Sequence, residues 1–455
     1  MLEAAIRKVR YRLRERPAGA ALADAAEGTA SLWIATLVGG SLGLALWWPA
    51  ARMLAPADLA LQWTVVNLAT LIGALSTLGS GAALIRYLPS SQPGERACEL
   101  RGAVAITVGA GIIFGAAALA VMPALTPGAP GFTRPLVAIL FWLDVLATAL
   151  AQVADEAALA FRRSPVIVER SLLLGVGRLA VVAPLLASGS GWALLVSDSI
   201  ATAASACYIW IRLLAKERHA LEPSVRGLRL RFRFAISSWL AGVMLVLPAQ
   251  VMPAVLAYSL GPAQAGSIAP AWLIISYSRA VPIAMAAAVY AAAARREAGS
   301  TSLSTAALVG APVAAAAGGA ITIGGLVAFR LLGQAYRASA GLLWWLPTLL
   351  ALWYLVGLLL VQARLDGRPW RALPAGVALA AISIGGAPAF LAASSTHGAG
   401  AAYAAGLAAA AAVGLATVPS GASVQGRHQP ASTAIDAPRR LSEEPSEEHD
   451  RRAPG

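Results

Sequence analysis

Residues 191–211 read GWALLVSDSIATAASACYIWI and run directly into 212–233, RLLAKERHALEPSVRGLRLRFR. Crossing roughly 30 Å of hydrocarbon takes about 20 mostly apolar residues, and the first stretch meets that length. The second holds seven basic residues: Arg212, Lys216, Arg218, Arg226, Arg229, Arg231 and Arg233. A long apolar run closed by a basic connection is the pattern of a helix that crosses a bilayer and emerges on its cytoplasmic side.

The same pattern fills the chain. Its 455 residues are 58% hydrophobic and only 13% charged, whereas soluble proteins carry about 25% charged residues. Twelve apolar stretches can be drawn, at 29–51, 59–84, 102–125, 134–161, 166–187 and 191–211, then 234–258, 264–292, 303–329, 340–362, 372–393 and 396–417. None alternates polar and apolar residues as a barrel strand would, so the expected fold is an all-α polytopic membrane protein.

Charge orients it. Of 35 Lys and Arg residues, 29 lie in the N-terminal arm, in every second connection or in the tail, and only Arg52, Arg134, Arg330 and Arg337 lie on the opposite side. Both termini are therefore expected in the cytoplasm. The net charge of +13 then reflects topology and anionic headgroups, and no nucleic-acid partner is expected. Residues 1–28 read as a basic cytoplasmic arm on the membrane surface, without the apolar core of a signal peptide. Two six-helix bundles follow at 29–211 and 234–417, joined by the basic linker 212–233. The Pro-, Ser- and charge-rich 418–455 reads as a disordered cytoplasmic tail.

Much is missing that an enzyme would need. Cys98 and Cys207 make no disulfide framework, and His219, His397, His428 and His449 are too scattered for a metal site. No phosphate-cradling Gly-rich loop ends in Lys-Ser or Lys-Thr. The external connections are short, with no Ser/His/Asp set or paired carboxylates, so no cofactor, metal or catalytic residue is expected. A transporter is favoured over an enzyme.

The two halves echo each other. Leu54-Ala55-Pro56-Ala57-Asp58 opens the second helix and Leu260-Gly261-Pro262-Ala263-Gln264 opens the eighth, each after the first helix of its half. Transporters are commonly built from such repeats, although Pro also suits any helix start. Ala51-Arg52-Met53-Leu54-Ala55-Pro56-Ala57-Asp58 resembles the A-R-x-L-G-P-x-D/E-F-G opening of the second helix in polysaccharide flippases. These belong to the multidrug/oligosaccharidyl-lipid/polysaccharide exporter superfamily. Leu78-Gly79-Ser80-Gly81-Ala82-Ala83-Leu84-Ile85-Arg86-Tyr87-Leu88-Pro89 is similar to the family's L-G-x-G-x-A-x-x-R-Y-x-P stretch, and Phe161-Arg162-Arg163 resembles its basic fourth connection. The likeness covers helices two to eight by motif and the rest by pattern. Leu59-Ala60 stands where the family has Phe-Gly, and Ala55 where it has Gly, which marks a divergent member.

The resemblance implies a flippase of the bacterial inner membrane working by alternating access. Its cargo would be a polyprenyl-pyrophosphate-linked oligosaccharide, moved to the outer leaflet for cell-surface polysaccharide assembly. Membrane lipids and other polysaccharide-assembly proteins would be its further partners. It also implies a cationic cavity, for which Arg279, near the middle of the eighth helix, is the first candidate, because a guanidinium binds phosphate oxygens in pairs. Arg178 is a second candidate, but it lies at the depth of Asp198 across a tight connection, and an ion pair competes with substrate contact. Gln62 and Asn67 are polar candidates on the second helix; such groups also hold helices together. Asp144, Asp155 and Glu156 on the fourth helix are candidates for ion coupling, since carboxylates within a membrane can exchange protons or bind a cation. Their alternative role is to neutralise nearby arginines. Pro248, Pro253, Pro270 and Pro282 are expected to interrupt the seventh and eighth helices.

Three other functions compete. A cation-coupled multidrug exporter of the same superfamily would prefer carboxylates, commonly one in the first helix, and 29–51 has none. A membrane-embedded polysaccharide polymerase or ligase would be expected to carry a large external loop. A structural protein recruiting a synthesis complex would act through its tail.

Overall fold

A computed structural model describes residues 34, 38–39, 41–43, 45–125, 135–214, 228–294, 303–332, 334–394 and 396–417. The N-terminal arm and the tail lie outside the described residues. Each of the twelve expected segments is helical where described. We label the helices by segment: α1 (45–53), α2a (Pro56–Ser76), α2b (Ser80–Tyr87), α3 (Pro93–Leu125), α4 (Pro135–Ala160), α5 (Ser164–Ala187) and α6 (Ala193–Leu214). The second half holds α7 (Leu228–Leu260), α8a (Pro262–Ser278), α8b (Ala280–Ala294), α9 (Leu303–Leu332), α10 (Leu346–Leu365), α11a (Leu373–Ala380), α11b (Ala387–Ser394) and α12 (Thr396–Thr417).

Among the described residues, nine helices are long and apolar enough to cross a membrane, or ten when the bent eleventh segment is counted. The nine do not include α5, which carries Glu169, Arg170 and Arg178. The chain is a multi-pass membrane protein. Helices are what a bilayer demands, since every backbone N–H and C=O must find its partner inside the segment.

The boundaries and breaks have local causes. α7 starts at Leu228, six residues before the expected 234. The stretch after Gly227 is Leu, Arg and Phe without a breaker, and Leu and Arg are strong helix formers. The second segment of each half is interrupted. Between α2a and α2b, Leu78 and Gly79 take positive φ, 44° and 75°. A glycine adopts that conformation without Cβ strain. Between α8a and α8b the break falls at Arg279. Pro282 explains it: a proline lacks the N–H that the Ser278 carbonyl would otherwise accept. Pro248, Pro253 and Pro270, by contrast, lie inside helices that continue past them, so only one of the four expected proline interruptions ends a helix. The eleventh segment bends by 44° after a π-helical turn at Ala381–Gly385.

One apolar core runs through both halves, from Trp47 and Trp63 through Leu245 and Trp272 to Trp353 and Tyr403. Smaller clusters lie within the first half, one around Val65 and Phe141 and another around Leu88, Val153 and Leu213. The halves meet where α2a lies against α8a and α7, and α2b against α7.

Candidate transport site

The seam between the halves is closed at three levels. At the end away from the basic connections, Tyr336 donates a hydrogen bond to the Ala51 carbonyl at 2.8 Å, and Arg52 donates to the Leu331 carbonyl at 2.8 Å. There Gly266 packs on the backbone of Pro56 so closely that a Cβ would overlap the carbonyl. In the middle, the Tyr277 ring of α8a lies against Gly43 and meets Trp47 and Arg178 of the first half. At the basic end, Trp239 donates to the Leu75 carbonyl at 2.9 Å, Gly79 sits on the Ala235 carbonyl, and Arg86 donates to the Arg364 carbonyl at 2.6 Å. These contacts join the two halves at both ends and in the middle.

Two charged groups lie deep between these closures, and they differ in kind. In the first half, Arg178 of α5 pairs with Asp198 of α6 at 2.5 Å. This is the pair that matching depths across the short connection predict. It is a charge contact without hydrogen-bond alignment, because Arg178 Nε has no bond of good geometry. Asp144 of α4 completes the group: it is fully buried and lies against Asp198, Arg178 and Thr148. Neither Asp144 oxygen has a well-formed hydrogen bond among the described residues. Two carboxylates therefore share one guanidinium. The group is one positive charge short of neutrality when both are ionised, and a proton or a monovalent cation would balance it.

In the second half the balance is reversed. Arg279 donates from Nε to the Ser276 carbonyl at 3.1 Å and from Nη1 to the Val246 carbonyl at 3.5 Å, and it meets the Tyr403 hydroxyl of α12. Trp353 also donates to that hydroxyl, at 2.9 Å. Among the described residues no carboxylate joins this group. The composition of this half agrees: within 234–417 the only acidic residues are Glu297 and Asp366, and neither falls in an expected apolar stretch. An intramembrane guanidinium is costly without a counter-charge. Ser276 Oγ, on the turn before Arg279, is buried and has no hydrogen-bond partner among the described residues. The cluster thus offers a cation, a phenol and a free hydroxyl.

The other candidates are placed as follows. Gln62 is buried and accepts a hydrogen bond from the Leu194 N–H at 2.9 Å, tying α2a to the start of α6, while its Nε2 has no partner. Asn67 donates to the Trp63 carbonyl of its own helix at 2.8 Å. Asp155 receives two hydrogen bonds from Arg170, at 2.8 and 2.7 Å, which closes α4 onto α5. Asp144 and Asp155, eleven residues apart, do share the α4 face that meets α5. Glu156 turns away from that face, packs over Gly81 and faces Arg364. The structure therefore does not bring the three acidic candidates together, nor Arg178 beside Arg279.

No family model matches the chain, and neither does any curated protein. Solved structures do. A MATE structure in complex with MaD5 aligns with a TM-score of 0.67 at 16% identity, covering 88% of this chain and 95% of that one. An outward-facing multidrug resistance MATE family transporter of the MOP superfamily aligns at 0.63 and 16% identity, over 88% and 95%. An inward-facing one aligns at 0.55 and 16% identity, over 84% and 92%. The fold is that of MATE transporters. At these identities the likeness carries architecture and nothing finer.

Proposed function

We propose that the chain is an alternating-access transporter that carries an anionic lipid-linked cargo, a polyprenyl-pyrophosphate oligosaccharide, from the cytoplasmic to the outer leaflet. The observation that carries this reading is Arg279, a membrane-interior guanidinium in a half whose spans hold no carboxylate. A pyrophosphate would supply the missing negative charge and accept hydrogen bonds from Arg279, Ser276 and Tyr403. The two-halved fold supports the reading, because substrate sites of transporters lie near the midplane beside broken helices, and Arg279 sits in the α8 break. The sugar would occupy the space opened by parting the seam, and the polyprenyl tail would stay in lipid.

Asp144 and Asp198 favour a second function, a proton- or cation-coupled multidrug exporter, since a buried pair short of one positive charge suits a cationic partner. In the flippase reading the same pair takes the coupling ion. Reconstituted protein decides between them. Protein-dependent exposure of a lipid-linked oligosaccharide on the far leaflet supports the flippase. Gradient-driven efflux of a cationic dye, with no movement of several lipid-linked sugars, supports the exporter instead.

A further inference from the structure

The motif Leu78-Gly79-Ser80-Gly81…Arg86-Tyr87 lies at the basic end of the seam, and that end contains a second charged group. Arg86 Nη1 donates to the Arg364 carbonyl at 2.6 Å, and its guanidinium lies 4.6 Å from the centre of the Phe234 ring. Arg364 donates from Nε to Ser238 Oγ at 2.8 Å and stacks 5.8 Å from the Tyr290 ring. Tyr290 is 2% exposed, and its hydroxyl has no hydrogen-bond partner among the described residues. Arg364, Arg86, Tyr87 and Glu156 all lie within electrostatic reach of it. Glu156 comes from α4 of the first half, over Gly81, where any Cβ would collide with its carboxylate. It faces Arg364 without closing to an ion pair. Two guanidiniums and one carboxylate, contributed by both halves, thus meet around the Tyr290 phenol.

We infer that Arg86, Arg364 and Tyr290 form a phosphate-binding site at the cytoplasmic mouth of the seam, and that an arriving phosphate group takes the place of Glu156. The surplus of one positive charge suits a phosphate better than a single carboxylate, and a guanidinium pair with a hydroxyl matches its several oxygens. Displacing Glu156 removes the charge contact that helps join α4 to α10, so binding would favour opening on that side. The site rests on the reading of an anionic lipid-linked cargo and would be its first stop, ahead of Arg279.

The test uses the full chain in nanodiscs, titrated with farnesyl pyrophosphate, inorganic pyrophosphate and farnesol. Saturable binding of either pyrophosphate, but not of farnesol, is expected. Arg364→Ala should weaken it at least about tenfold and Tyr290→Phe about threefold. Glu156→Gln should tighten it about three- to tenfold, because a competing like charge is gone. That gain separates ligand competition from a loss of folding. Tighter binding of farnesyl pyrophosphate than of the inorganic ion supports the site and identifies the source as a lipid headgroup; equal binding supports the site for free phosphate. Weaker or unchanged binding in Glu156→Gln overturns the inference, as does binding that depends on Arg279 but not on Arg364. In that last case the proposed cargo stands and only this site fails. A parent that binds neither pyrophosphate and moves no lipid-linked sugar overturns both.

Discussion

The first-half charge group can be tested by a double-mutant cycle, because its stoichiometry makes an unusual prediction. Asp198→Asn removes the carboxylate in contact with Arg178, but Asp144 stands beside both and can take over. The net loss should then be one charge-assisted contact partly replaced, about 1–2 kcal/mol. Asp144→Asn removes a buried carboxylate that lacks a well-formed hydrogen bond and offers Asp198 an amide donor, so stability should change by less than about 0.5 kcal/mol. The double variant leaves Arg178 buried with no counter-charge, and breaking a buried pair in that way costs about 3–5 kcal/mol. The two substitutions should therefore be non-additive by about 2–3 kcal/mol. Reversible unfolding of the detergent-solubilised protein by SDS, followed by far-UV circular dichroism, measures all four corners. Additive values, or an Asp144→Asn loss as large as that of the double variant, would refute the shared-guanidinium account.

Other outcomes follow from single contacts. Tyr403→Phe removes the acceptor of the Trp353 N–H and the phenol beside Arg279, and should cost about 2–3 kcal/mol in the same assay. Asp155→Asn breaks the bidentate contact with Arg170. Both side chains are partly exposed, so a loss of about 1–2 kcal/mol is expected, with no effect on the Asp144 cycle. For topology, a cysteine-free chain carrying Ser190→Cys should react with an impermeant maleimide added outside intact cells, and one carrying Gln92→Cys should not. The reverse pattern would invert the membrane orientation.

How far the sequence could be read depended on whether the deciding atoms belong to side chains with a characteristic pattern. The helical segments and the Arg178–Asp198 pair were legible because apolar length and equal depth across a tight connection are linear properties. The Arg279 break was half legible: Pro282 announces it, but Pro248, Pro253 and Pro270 look the same in sequence and break nothing, because a neighbouring helix can absorb the missing hydrogen bond. The seam was not legible. Tyr336, Arg52, Trp239 and Arg86 all donate across it to backbone carbonyls, and a carbonyl has no signature in the residue that bears it. Arg86 and Arg364 read as topology charges since both stand at helix ends. Only the packing of the two halves brings them, with Glu156, around Tyr290. Adjacent Asp155 and Glu156 serve different partners because one residue is about 100° of helix rotation.

Whether Arg279 binds the cargo is decided by outward translocation of a polyprenyl-pyrophosphate oligosaccharide in proteoliposomes, comparing the parent with Arg279→Lys and Arg279→Ala. Sugar exposure by the parent, partial activity with Lys, and loss with Ala while the purified variant stays folded are the expected results. Translocation by Arg279→Ala at the parent's rate would contradict that binding role.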